Sequence, residues 1–119
     1  MTTAPPSDDT MLEIDVRKEH GHTVVEVGGE LDVFTSARLR TVLFDPALCA
    51  GPRVVVDLGR VTFMDSTSIG VLVAARRWHA SRDAEVRLVC TEGPVLKVLG
   101  LVMLDRVFGI YDSVADATA

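Results

Sequence analysis

The sequence predicts an α/β fold, a mixed sheet of four to five strands with about four helices packed against it. Three observations carry this. Leu12, Ile14 and Val16 alternate with charged residues, and residues 23–27 resume the pattern, the period of half-buried strands. Residues 53–58 are almost continuously apolar and β-branched, as expected of an interior strand covered on both faces. Segments of helical spacing separate these runs in the order β-β-α-β-α-β-α-β-α, and the usual handedness of crossovers then lays helices against the sheet.

Each element has its own justification. Gly21 interrupts the first run, so the first two strands read as a hairpin. Gly28-Gly29-Glu30-Leu31-Asp32 is expected to leave the sheet. Thr35 or Ser36 can cap the next helix, with Leu39, Val42 and Leu43 as its apolar stripe and Arg38 and Arg40 toward water. Pro46 cannot continue that ladder. Either the helix ends near Phe44, or Asp45 caps a new turn with Pro46 in its first position.

After Asp57-Leu58, a short connector leads to Phe63-Met64 and a second helix over about 67–80. Its first half is apolar nearly all round (Ile69, Val71, Leu72, Val73, Ala74, Ala75), and Arg76-Arg77 open a polar second half. The front is therefore expected deep in the core and the far end in solvent. Residues 85–91 read as a fourth strand and 94–99 as a short helix stopped by Gly100. Residues 107–110 suit a fifth strand, and Asp112 or Ser113 caps a last helix through Ala117.

A chain of 119 residues with 48% hydrophobic content supports one domain, over residues 11–119. Residues 1–10 read as a disordered polar tail containing two prolines. A net charge of −5 argues against general affinity for nucleic acid or an anionic membrane, and favours a protein or a cation as partner. No apolar run is long enough to cross a bilayer and the start lacks a leader pattern, so a cytoplasmic location is expected. Cys49 and Cys90 lack a C-x-x-C spacing. Cys90 alternates with Val86 and Leu88 and reads as buried, Cys49 as more exposed in a loop. A disulfide would be unusual in the cytoplasm.

Enzyme signatures are missing. There is no phosphate-binding G-x-x-x-x-G-K-[ST], no G-x-G-x-x-G and no G-x-S-x-G. His20, His22 and His79 lack zinc spacing. His20 and His22 could share one side of an extended segment, but two ligands rarely hold a metal. Asp57 and Asp65 have no Lys or His nearby to complete a catalytic set. A response-regulator receiver is also excluded, since Ile14-Asp15-Val16-Arg17 offers no acidic pair for magnesium and Arg106 comes without the expected Lys-Pro. No cofactor and no metal are expected.

Asp65-Ser66-Thr67-Ser68-Ile69-Gly70 brings a carboxylate and three hydroxyls to the start of the apolar helix. In the plain reading this is a helix cap. A hydroxyl there also sits among unpaired backbone N–H groups, where a phosphate is easily held. The two readings are compatible. FMDSTSIGVLV resembles the phosphorylation motif of the STAS-domain anti-sigma factor antagonists, and Gly28-Gly29-Glu30-Leu31-Asp32-Val33-Phe34-Thr35 resembles that family's second signature. The resemblance runs from about Leu12 to Ala117, with Leu96-Lys97-Val98-Leu99-Gly100-Leu101 similar to a later segment.

That resemblance implies a STAS-like fold and a non-enzymatic regulator. Its unmodified form would bind an anti-sigma factor that is also a serine kinase and so release a sigma factor. Phosphorylation of Ser66 would end the binding, and a serine phosphatase would restore it. Glu30, Asp32, Thr35, Asp65, Thr67 and Ser68 would form the surface met by the partner. Ser68 stands where the family usually has Gly, adding bulk at the expected point of approach. The alternative is a STAS module serving a larger stress-signalling or transport assembly.

Overall fold

The hairpin of β1 (Leu12–Glu19) and β2 (His22–Leu31) turns on two residues of positive φ, His20 at 51° and Gly21 at 77°. That pairing matches the right-handed twist of the strands it joins. The computed structural model describes residues 12–119, so the expected tail at 1–10 lies outside the described residues. β3 (Arg53–Met64), β4 (Glu85–Val89) and β5 (Gly109–Tyr111) add in parallel to β2, and the sheet order is β1-β2-β3-β4-β5. The parallel joins are made through α1 (Ser36–Leu43), α2 (Ser66–Ala80) and α3 (Pro94–Leu101), and α4 (Val114–Ala117) ends the chain. The mixed five-stranded sheet with four helices is the fold class the sequence predicts.

The two faces of the sheet are covered unequally. Val25, Val27, Leu31, Val54, Val56, Leu58 and Leu88 pack with Leu39 and Leu43 of α1, Leu72 and Ala75 of α2 and Leu99 of α3. On the other face, Val24, Val55 and Val89 pack in a smaller cluster with Ala117, Tyr111 and Val114. The middle strands are thus buried on both sides, which is why residues 53–58 carry no alternation. Toward β1 the second face turns ionic: Arg17 meets Glu26 at 2.8 Å and Arg60 reaches Glu13 and Glu26 at 3.6 Å.

Several boundaries differ from the sequence expectation, and pairing explains most of them. β2 does not end at Gly28-Gly29 but runs to Leu31, and β3 continues without a connector to Met64, because Gly28–Leu31 and Arg60–Met64 pair with each other beyond the end of β4. Register shifts on both sides of Gly28-Gly29 absorb the glycines within the strand. α3 passes through Gly100 to Leu101, and the exit of a 3-10 turn at Leu104–Arg106 takes up Val107 and Phe108, so the fifth strand begins at Gly109 and not at 107. β4 stops at Val89.

The α1 exit satisfies both readings of Pro46. The helix ends at Phe44, and Asp45 opens a new turn by accepting the Ala47 N–H on Oδ1 at 2.8 Å. The Cys49 N–H also bonds to the Asp45 carbonyl at 2.8 Å, which tucks Cys49 under α1. Cys49 is therefore buried, not exposed as expected, and burial with a contribution from Asp45 pushes its thiol up to about 11. Cys90 is buried as expected. Arg38 is half-buried, its Nη1 donating to the Leu12 carbonyl at 2.7 Å.

Helix α2 also departs from its forecast. Its buried stripe, Ser68, Val71, Leu72, Ala75 and His79, runs the full length, while Ser66, Thr67 and Gly70 at the front are exposed. His79 is accommodated at the far end by a 2.7 Å hydrogen bond to the Leu43 carbonyl. The two histidines are engaged separately: His20 sits in the turn against Thr118 Oγ1, and His22 is buried with Nδ1 at 2.8 Å from the His20 carbonyl. No helix among the described residues is long and apolar enough to cross a membrane.

Candidate functional site at two strand-to-helix junctions

Leu31 and Met64 are register partners at the ends of parallel neighbours, so β2 and β3 deliver Asp32 and Asp65 to the same edge of the sheet. A hydrogen bond from the Asp65 N–H to the Leu31 carbonyl, 3.1 Å, ties the two exits together. The site is the pair of loops that leave there.

At the first exit the Asp32 carboxylate folds over the turn. Its Oδ1 accepts the N–H groups of Phe34 and Thr35, both at 2.9 Å. The Thr35 hydroxyl does not cap α1 as expected. It turns back, donating to the Glu30 carbonyl at 2.6 Å and accepting the Asp32 N–H at 2.9 Å. The Ser36 N–H bonds to the Asp32 carbonyl, and Thr35 and Ser36 are both buried. Asp32 thus caps the turn that leads into α1, whose N-cap position is Thr35, and its carboxyl is held below the ordinary carboxylate value, first by the Thr35 N–H and then by that of Phe34.

At the second exit Asp65 is the N-cap of α2 in extended conformation. Its Oδ1 accepts the Ser68 N–H at 3.0 Å and the Ser68 hydroxyl at 3.0 Å, and its carbonyl accepts the Ile69 N–H at 3.1 Å. Ser68 is fully buried by this arrangement, because the helix turns its face to the core. The side chain is therefore covered, contrary to the sequence expectation that Ser68 adds bulk at the surface. Ser66 and Thr67 are exposed, and among the described residues neither hydroxyl nor either backbone N–H has a hydrogen-bond partner.

The expected site residues therefore sort by geometry. Asp32, Thr35, Asp65 and Ser68 are engaged in holding the loops, and Glu30, Ser66 and Thr67 face solvent. Ser66 is the first helical residue of a 15-residue helix, where the open N–H groups and the helix dipole favour a negative group. Sequence reasoning overlooked three exposed apolar residues on this edge: Val33, Phe34 and Phe63. The signal was an apolar pair placed between the polar residues Asp32 and Thr35, off the period of either flanking element.

A family model described as STAS domain matches residues 13–117. An anti-sigma F factor antagonist of Paenibacillus polymyxa is 28% identical over 110 residues, covering 89% of this chain and 92% of that one. An anti-sigma-B factor antagonist of Staphylococcus aureus is 33% identical over 94 residues, covering 76% and 86%. The crystal structure of an anti-sigma factor antagonist from Mycobacterium paratuberculosis superposes with a TM-score of 0.81 at 26% identity, over 98% of this chain and 95% of that one.

Proposed function

The chain belongs to the STAS-domain family, and on that premise we propose that it acts as an anti-sigma factor antagonist switched by phosphate on Ser66. Unmodified protein binds an anti-sigma factor that is also a serine kinase, and the sigma factor is released. The kinase then moves the γ-phosphoryl group of ATP to Ser66 Oγ. The bond to the β-phosphate breaks, ADP leaves, and the hydroxyl proton passes to the kinase. A serine phosphatase hydrolyses the ester and restores the binding form. This places the protein in the cytoplasm with its partners, and the switch needs no catalysis by the chain itself.

One observation carries the assignment: Ser66 is exposed and unengaged at the start of α2, beside Asp65. Phosphate there adds about −1.5 to −2 charges at pH 7. The open N–H groups of the first turn accommodate it, so the fold survives. The phosphate lands beside Asp65, where a partner matched to the unmodified surface closes, and its bulk and added charge spoil that fit.

The test takes each anti-sigma factor encoded in the chain's own genome, purified, with ATP. Peptide mapping is expected to find phosphate on Ser66, Ser66→Ala to accept none while still binding, and the phospho-form to lose binding. Phosphate on Thr67 instead, or tight binding by the phospho-form, would overturn the switch. Stable association with a transport or signalling scaffold, without any kinase, would assign the chain to that assembly.

A further inference from the structure

Phe34 is 74% exposed and Val33 58%, although the turn that carries them is held by hydrogen bonds to the Asp32 carboxylate and the Thr35 hydroxyl. The Phe34 N–H itself is one of the groups fixed by Asp32 Oδ1. An aromatic side chain held in water on a fixed backbone loses little conformational entropy when a partner covers it, the property of an interface anchor. The turn is tied to the Ser66 junction through the bond from the Asp65 N–H to the Leu31 carbonyl. Phe63, half-exposed, lies on the same edge as the register partner of Glu30.

Resting on the reading of the protein as a phosphorylation-switched antagonist, we infer that Phe34, flanked by Val33, is the apolar anchor that seats the anti-sigma factor over Ser66. The chemistry of the occupant follows from what surrounds the ring. Glu30, Asp32 and Asp65 border the same edge, so the partner carries an apolar pocket with a basic rim. A second copy of this chain does not fit. A two-fold interface places the same patch on both sides, and these carboxylates would face one another. Phosphate on Ser66 therefore acts on the seating of the aromatic anchor as well as on charge, because both belong to one bonded pair of loops.

The experiment measures the dissociation constant for the purified anti-sigma factor by calorimetry, and its kinase reaction by initial rates. Wild type, Phe34→Ser and Leu101→Ser are compared; Leu101, 76% exposed, lies at the end of α3 and serves as the control. Phe34→Ser is expected to weaken binding about 30-fold, the range of an interface hot spot. It should raise the kinase KM with kcat nearly kept and leave the melting temperature close to that of wild type. Leu101→Ser should hold the dissociation constant within about twofold, as exposed substitutions do. Equal affinity for Phe34→Ser and wild type, with wild type binding well, would overturn the anchor and leave the switch standing. Equal weakening by Leu101→Ser would also overturn it. Failure of wild type to bind any anti-sigma factor would remove both readings. A homodimer in sedimentation that Phe34→Ser dissolves would reassign the ring to a second copy.

Discussion

At both strand-to-helix junctions an aspartate folds one carboxylate oxygen over the start of a helix, yet the hydroxyls beside it meet opposite fates. At the α1 junction the Thr35 hydroxyl is buried and engaged with both Glu30 and Asp32. At the α2 junction the engaged, buried hydroxyl is Ser68, and Ser66 and Thr67 are left outside. The difference comes from where the cap stands. Asp65 is extended and directly precedes the helix, so residues one and two after it point away from the core and residue three points in. Asp32 sits three residues before Thr35, whose helical backbone turns its side chain back toward the strand. A hydroxyl available for chemistry therefore exists at only one of two similar-looking motifs.

The largest effect expected from this comparison is that of phosphate on Ser66. A bulky dianion placed under a partner fitted to the bare hydroxyl breaks the packing of the interface, so affinity should fall by at least about 100-fold. Ser66→Asp should fall short of that, since one carboxylate imitates only part of the charge. Titration calorimetry of the three forms checks the order, and equal affinities would break the comparison at its main point.

Thr35→Val and Ser66→Ala should separate the two hydroxyls by stability. Thr35→Val strands the Glu30 carbonyl and the Asp32 N–H beside the buried Thr35 position, at a cost of about 1 kcal/mol or more. Ser66→Ala should stay within about 0.5 kcal/mol, because Asp65 and not Ser66 is the cap. Urea denaturation of both variants reads the difference. A Thr35→Val protein as stable as wild type would mean the bonded turn is incidental.

Ser68→Gly should destabilise by about 1 kcal/mol, through a lost hydroxyl bond and the entropy of a helical glycine. Its rate of phosphorylation should change little, because the position is buried. A large acceleration would show that the usual glycine of the family acts on the kinase encounter after all.

The smallest effect concerns acid. The Asp32 carboxyl has a folded pKa lowered from 3.8 by the Thr35 and Phe34 N–H groups. Its contribution is therefore complete above the unfolded value and is lost as pH falls through the lower folded one. The Phe34 and Thr35 amides should lose exchange protection in that acidic window, and Asp32→Asn should remove the pH dependence. Protection that disappears already near neutral pH would contradict the assignment of Asp32 as the cap.

Much of this molecule was determined by local sequence. The alternation at Leu12, Ile14 and Val16, the continuous apolar run at 53–58 and the helical spacing at 69–75 depend only on period and burial, so the α/β class, the element order and the position of Ser66 at a helix start could be read directly. What the chain could not disclose locally was pairing between distant segments. Gly28-Gly29 reads as a strand exit, and only the partner stretch Arg60–Met64 keeps it in the sheet. Gly100 reads as a stop, yet α3 continues through it. Cys49 is buried because Asp45 bends its loop beneath α1. The same limit applies at the site. Four consecutive residues at 65–68 all look like caps or acceptors in sequence, and only the packing of α2 on the sheet buries Ser68 and exposes Ser66. Exposure of Phe34 is likewise a tertiary fact, since a hydrophobic residue is read as core until the structure shows nothing covering it.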